Sequence, residues 1–283
     1  MKTILPGDLD PIGTNALLCG GVGPRPIALA STISPAGVRN LAPFSFFNAF
    51  GSNPPMVAFA PNRRGRDGTV KHTWQNTTAT REFVIAAVTY AMVQQMNVAS
   101  AEYPEGVDEF VKSGLTPLPA TLVGPALVGE SPFQMECRLH REVELGTGPG
   151  SGLMLIGEVV AFHVREDCLE GGLLHPGRLD LVGRNGGAFY TRASGRALLE
   201  IAKPVGRPIG YDALPARLKA SRILTGNDLG RLANSAARPD PALARAVSGD
   251  PTDEQGLEKA IHASLEREDL QEAWRLVGRL MNI

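Results

Sequence analysis

Two long strand-like runs joined by a glycine-rich heptapeptide limit the fold more than any other feature of the chain. FQMECRLHREVEL (133–145) sets Met135, Cys137 and Leu139 on one side and Glu136, Arg138 and His140 on the other, the period-two pattern of a strand. GLMLIGEVVAFHVRE (152–166) is a second long strand with little polar content until its end, and GTGPGSG (146–152) between them reads as a loose hairpin turn. Shorter runs precede and follow them: RPIALASTIS (25–34) closed by the turn SPAG, PPMVAFAP (54–61) bracketed by prolines, EFVIAAVT (82–89) and FYTR (189–192). Helical spacing interrupts at 69–79 and 90–101. Strands joined by turns and short helices, without regular βαβ alternation, exclude a doubly wound sheet and predict a mainly β, antiparallel barrel, whose closure also disposes of exposed sheet edges.

The texture changes after KPVGRPIG (203–210). Leu, Ala, Arg and Glu replace Val, Ile and Phe. PALARAV (241–247) reads as a helix begun by proline and ended by glycine, and Thr252 with Gln255 reads as a capping box for the next one. Leu257, Ile261 and Leu265, then Leu270, Trp274, Val277 and Met281, recur at helical spacing. The tail is therefore expected to be a set of short amphipathic helices.

Composition excludes several classes of function. With 283 residues, 20% charged and a formal net charge of -1, nothing favours nucleic acid or a membrane surface as a partner, so any anion must be met by a local cluster. The longest apolar run, 83–93, is about half the length of a spanning helix. Cys19, Cys137 and Cys168, widely spaced, read as reduced thiols in a cytoplasmic protein. There is no phosphate-binding Gly-Lys-Ser/Thr loop, no His-Glu-x-x-His, no Cys-x-x-Cys and no Gly-x-Ser-x-Gly. GGVGPRP (20–26) lacks the third glycine of a dinucleotide fingerprint and precedes a strand instead of following one. His72, His140, His163, His175 and His262 are scattered, and no metal site is expected from them. His163, at the end of an apolar strand, leaves a structural role and a nicotinamide contact both open.

What remains is a constellation. NLAPFSFFNAF (40–50) packs four of the chain's ten phenylalanines into eleven residues, with Asn40, Ser45 and Asn48 between them. Ahead of it, a strand ends in Ser31 and Thr32. A flat heterocycle with a phosphate arm suits the set: apolar walls, an amide at Asn40 that both donates and accepts, and backbone amides beside Leu41 and Ala42 for polar ring edges. About twenty residues on, RRGRDGTVKHTWQNT (63–77) holds the densest positive charge of the chain, Arg63, Arg64, Arg66 and Lys71, with Thr73, Asn76 and Thr77 as donors. A helix starting at Lys71 would add first-turn amides to a phosphate clamp. The phenylalanines as plain core and the arginines as a solvated loop are the competing readings.

In order and spacing, RPIALAST, NLAPFSFFNAF, NPPMVAFAP, KHTWQN, REFVIAAV, LIGEVVAFHV and LVGRNGGAFY resemble the flavin reductase-like family of FMN-binding split barrels, flavoredoxins included, across about 25–190. The resemblance implies a split β-barrel over 1–205 with a helical extension over 206–283, and a homodimer with FMN near the subunit interface. It implies that Ser31, Thr32, Asn40, Leu41, Ala42, Ser45, Phe46 and Phe47 line the flavin, that Lys71 and Thr73 hold the phosphate with Arg66 helping, and that Arg184 and Tyr190 lie near the site. His72 stands where the family pattern has aspartate, which alters the charge beside the phosphate. The implied activity is hydride transfer from NADH or NADPH to flavin N5, with a small-molecule substrate or a partner oxygenase downstream. No catalytic residue is assigned, because the cofactor carries that chemistry. The alternative is a non-catalytic FMN-binding or redox-sensing module that uses the helical tail for protein interaction. Haem or pyridoxal phosphate on a similar barrel would show in the absorbance spectrum.

Overall fold

The computed structural model describes residues 1–204, 206–236 and 244–282, in two compact units, Met1–Leu199 and Glu200–Ile283. In the first unit seven strands form one antiparallel sheet: β1 (Ala28–Ile33), β2 (Arg39–Phe44), β3 (Phe47–Ser52), β4 (Pro55–Phe59), β5 (Glu82–Ala87), β8 (Phe133–Glu144) and β9 (Leu153–Val164), with the two-residue strands β6 (Pro117–Leu118) and β7 (Leu127–Val128) pairing separately. The order is β2–β1–β5–β8–β9–β4–β3. β2 and β3 are thus opposite edges, yet only Ser45 and Phe46 lie between them, so the sheet must curl. Its curl is visible in the core: Phe44 of β2 and Phe59 of β4 stand 5.5 Å apart between ring centroids, and Phe59 meets Phe83 of β5 at 5.3 Å. The edges meet by packing without a hydrogen-bonded ladder, which makes a split barrel. Register shifts at Glu136/Cys137 and Leu139/Arg141 let the β8–β9 hairpin bend.

Gly157 shows how tightly the barrel is filled. A Cβ built on it would fall 2.3 Å from Cζ of Phe83. Phe83 is fully buried and has no room to retreat. Gly157→Ala is expected to cost about 1–3 kcal/mol, the usual effect of overpacking, read as a lower denaturation midpoint.

A second core lies on the outer face of β1 and β2, where Leu29, Leu41, Val88 and Met96 pack with Phe110. Its cover is α3 (Val93–Ala99) and α4 (Glu109–Ser113), after α1 (Pro11–Gly21) and α2 (His72–Thr80) in chain order. The helix expected over 69–79 starts later because the Asp67 carboxylate captures the Thr69 N–H at 2.9 Å. Beyond β9 come the small hairpin of β10 (Leu169–Glu170) and β11 (Leu173–Leu174), the short α5 (Pro176–Leu179), and the pair β12 (Val182–Arg184) and β13 (Tyr190–Arg192).

Glu136 faces away from Met135 and Cys137, as the alternation requires, but it does not reach water. It is fully buried, accepting from the Thr121 and Leu122 N–H groups at 2.7 and 2.6 Å and lying 2.6 Å from His163 Nε2. Burial alone would raise its carboxyl pKa, but the two amides and His163 outweigh that and hold it below the ordinary 4.5. A depressed carboxyl stabilises fully above its unfolded value, and that stabilisation is lost as pH falls through the folded value. The stability gap between the native chain and Glu136→Gln is therefore expected to narrow on acidification below 4.5, measured by urea denaturation across that range.

The second unit contains α6 (Ala216–Lys219), α7 (Gly226–Ala233), α8 (Glu254–Glu266) and α9 (Leu270–Leu280) around Leu218, Leu232, Leu257, Ile261, Leu265 and Leu280. Asp253, not Thr252, caps α8, its carboxylate accepting from Gly256 N at 2.9 Å. Of the helix expected over 241–247, residues 241–243 lie outside those described and 244–247 are not helical. No helix among the described residues is long and apolar enough to cross a membrane.

Candidate functional site

Adjacent residues of a strand face opposite sides, and this divides Ser31 from Thr32. Thr32 pairs across β1–β2 with Asn40, whose Nδ2 donates to Thr32 Oγ1 and to Thr73 Oγ1, both at 3.1 Å. Asn76 Nδ2 donates to the same Thr32 hydroxyl at 3.2 Å. All four side chains are buried. The network pins the first turn of α2 to the strand carrying the phenylalanine-rich stretch. Ser31 lies on the other face with Leu41, and its Oγ has no partner among the described residues.

Lys71 immediately precedes α2. Its ammonium is partly buried, 5.2 Å from the centroid of the Phe44 ring. Burial lowers its pKa, with Glu102 opposing that shift and Arg64 adding to it. Arg63 is bonded to Glu144 at 2.7 Å, Arg64 to Val70 O at 2.5 Å, and the exposed Arg66 to Asp67 and Glu102 at 3.0 and 2.7 Å. Of this cluster the Lys71 ammonium alone has neither hydrogen bond nor ion pair among the described residues. α2 also opens without a side-chain cap or an acidic residue in its first turn, so its leading N–H groups keep their donor capacity and the helix field is not cancelled. His72 occupies the first helical position, where an aspartate would have supplied that charge.

Phe44 links the cation to a cavity of about 530 Å³. Ser45 and Phe46, Arg184 of β12, Tyr190 of β13 and Cys19 of α1 are among its lining residues. Arg184 donates to the Tyr190 hydroxyl and to Gly187 O and stacks over the Tyr190 ring, its Cζ 4.6 Å from the centroid. Phe47 goes the other way. It packs against the barrel core and lines a separate, apolar cavity of about 500 Å³ with Met56, Phe133 and Phe162. Ala42, paired with Ala30, also packs against that core. The sequence-predicted set thus falls into groups: Thr32, Asn40, Thr73 and Lys71 at the helix start; Ser45, Phe46, Arg184 and Tyr190 around the cavity; Ser31 and the Leu41 side chain on the outer core; Phe47 at the apolar cavity; Arg66 in exposed ion pairs.

A family model described as "Flavin reductase like domain" matches residues 21–180, more than half the chain. The chain belongs to this flavin reductase-like family. Among solved structures, nitrilotriacetate monooxygenase component B from Bacillus cereus is similar at 31% identity and TM-score 0.66, covering 72% of this chain and 98% of that one. The 2-nitrobenzoate 2-nitroreductase of Pseudomonas fluorescens is similar at 27% identity and TM-score 0.62, with the same coverage of 72% and 98%. An uncharacterised protein of Aquifex aeolicus is 34% identical over 186 residues, 65% of this chain and 92% of its own length.

Two residues of this flavin reductase-like domain escaped the sequence reading. Arg25 is buried, donating to Cys19 O at 2.6 Å, Val22 O at 2.5 Å, Asn185 O at 3.2 Å and Ser45 Oγ at 3.3 Å, with Phe46 beneath its guanidinium. It joins α1, the β2–β3 link and the β12–β13 turn into one wall. Its signal was an arginine leading an apolar strand, in RPIALAST. Glu109 of α4 is buried and accepts the Leu41 N–H at 2.9 Å, so that amide, expected to face a ring edge, is already engaged. Burial raises the Glu109 pKa, and the Leu41 bond opposes that rise.

Proposed function

We propose that this chain is an FMN-dependent oxidoreductase of the NAD(P)H:flavin reductase kind. One observation carries the reading: a partly buried, unpartnered Lys71 stands at an uncapped helix start that Thr32, Asn40 and Thr73 fasten beside Phe44 and the neighbouring cavity. The donor chemistry suits a phosphate monoester. In this reading Lys71 and the first-turn amides of α2 hold the phosphate, with Thr73 beside them and Arg66 free to contribute if it leaves its carboxylates. Phe46 and Tyr190 supply the walls for the ring. Neither Arg25 nor Arg184 has a carboxylate partner among the described residues, so both guanidiniums bias the cavity toward a ligand that gains negative charge. The bound cofactor would supply a ring that accepts a hydride from NADH or NADPH. The residues' part is to orient it and exclude water, and no acid or base is required of them.

The reading extends to a cytoplasmic homodimer with a small-molecule substrate or an oxygenase partner. The apolar cavity beside Phe47, lined also by the exposed ring of Phe162, supports a partnered face. Similarity to a monooxygenase component supports an oxygenase downstream. The test is anaerobic addition of NADH or NADPH to the FMN-loaded protein, watching the flavin band near ~450 nm. Rapid bleaching is expected. A band that persists with either nucleotide yet bleaches with dithionite would overturn the enzyme reading in favour of a binding module.

A further inference from the structure

The helical unit lies outside the family match, which ends at residue 180, and it carries its own cluster of ligand-type side chains. His262 and Glu266 are four residues apart on α8 and therefore share one face. Asp228 reaches the same place from α7. One nitrogen or oxygen of each lies within 4.8 Å of the others. Asp228 is 1% exposed and is held in a fixed pose: its Oδ2 accepts from the Thr225 N–H and hydroxyl, both at 2.7 Å, and stands 2.9 Å from His262 Nδ1. Its other oxygen, Oδ1, is buried and has no donor among the described residues. An ionised carboxylate oxygen sealed from water without a partner is costly, and a cation is one group able to relieve it. Arg231, bonded to Glu266 at 2.9 Å, offsets only one of the two carboxylates. The Asp228 and Glu266 carboxylates and the Arg231 guanidinium together leave one negative charge uncompensated.

We propose that Asp228, His262 and Glu266 bind a divalent transition-metal ion, with Zn²⁺ as the probe. One imidazole and two carboxylates with an open fourth position suit such an ion better than Mg²⁺ or Ca²⁺, which take oxygen ligands. Zinc–ligand bonds of 2.0–2.1 Å place tetrahedral ligands about 3.3 Å apart. Oδ2 is already held by Thr225, so Asp228 meets the ion through its unpartnered Oδ1, His262 exchanges its bond to Oδ2 for the ion, and Glu266 closes by a rotamer change from its exposed position. Without an ion, Nδ1 carries the proton it donates to Asp228 Oδ2, so binding through Nδ1 displaces that proton and leaves the imidazole N–H on Nε2. Thr225 then orients Asp228 from behind. The sequence hid the site because its ligands come from two helices, with Asp228 and His262 34 residues apart.

The experiment uses untagged full-length protein freed of metal by chelator dialysis, titrated with Zn²⁺ against a chromophoric chelator, alongside His262→Ala and Glu266→Ala. Asp228 is left intact because it also caps α7. The expected result is one equivalent bound with a Kd of about 1 µM or tighter, weakened about tenfold or more by each substitution. Co²⁺ in place of Zn²⁺ should give visible d–d absorption that His262→Ala loses. The proposal is overturned if the native chain takes up no Zn²⁺ at ~100 µM, near the weak end for such sites. Native-like binding by both variants, or equal occupation by Mg²⁺, also sinks it. A bond serving only to tie α7 to α8 would make His262→Ala lower Tm by the same amount with and without Zn²⁺.

Discussion

Lys71→Met is expected to weaken FMN binding by roughly 30- to 150-fold while riboflavin binds as before. The magnitude follows from removing one charged donor from a phosphate, about 2–3 kcal/mol. Methionine keeps the chain length and the packing on Phe44, so the ring wall survives. Riboflavin, which has no phosphate, is the internal control: quenching of flavin fluorescence is titrated for both ligands with both proteins. If the two affinities fall together, the loss comes from a disturbed pocket, and Lys71 does not hold a phosphate.

Arg25→Met is expected to cost about 3–5 kcal/mol of stability, because charged hydrogen bonds are lost and buried carbonyls are left without donors. Three of its four acceptors are backbone carbonyls, of Cys19, Val22 and Asn185, none of which can turn away without moving its segment. Arg25→Lys should recover little, since one ammonium cannot span acceptors that the planar fork reaches together. Urea denaturation gives the number, and a change below about 1 kcal/mol would mean that α1 and the β12–β13 turn hold themselves without it. α1 supports the expectation: it has no buried residue of its own.

The strands were legible because period-two alternation and proline or glycine at the ends are backbone requirements written directly into residue order. β8 and β9 appear within a residue or two of the runs that predicted them. The meeting of Asn40 with Thr73 was legible too, through the shared chemistry of the two segments rather than through spacing. The division of Phe46 from Phe47 was not. It depends on where β2 gives way to β3, a matter of register that composition does not carry. Glu136 and Arg25 were hidden for a different reason. Charged residues read as surface, and their burial depends on amides and carbonyls supplied by distant backbone. α1 lacked the sign that betrays most helices, since an element that buries no residue needs no apolar stripe.

The Glu109–Leu41 bond has a bearing on how copies of this protein can meet. β2 borders the sheet, and an unguarded border invites strand addition by another chain. Leu41 turns its N–H outward, where a carboxylate already occupies it, and Pro43, two positions along and facing the same way, has no N–H to offer. That rim therefore cannot template a continuous intermolecular sheet, and any assembly at this seam has to be built from side-chain surfaces.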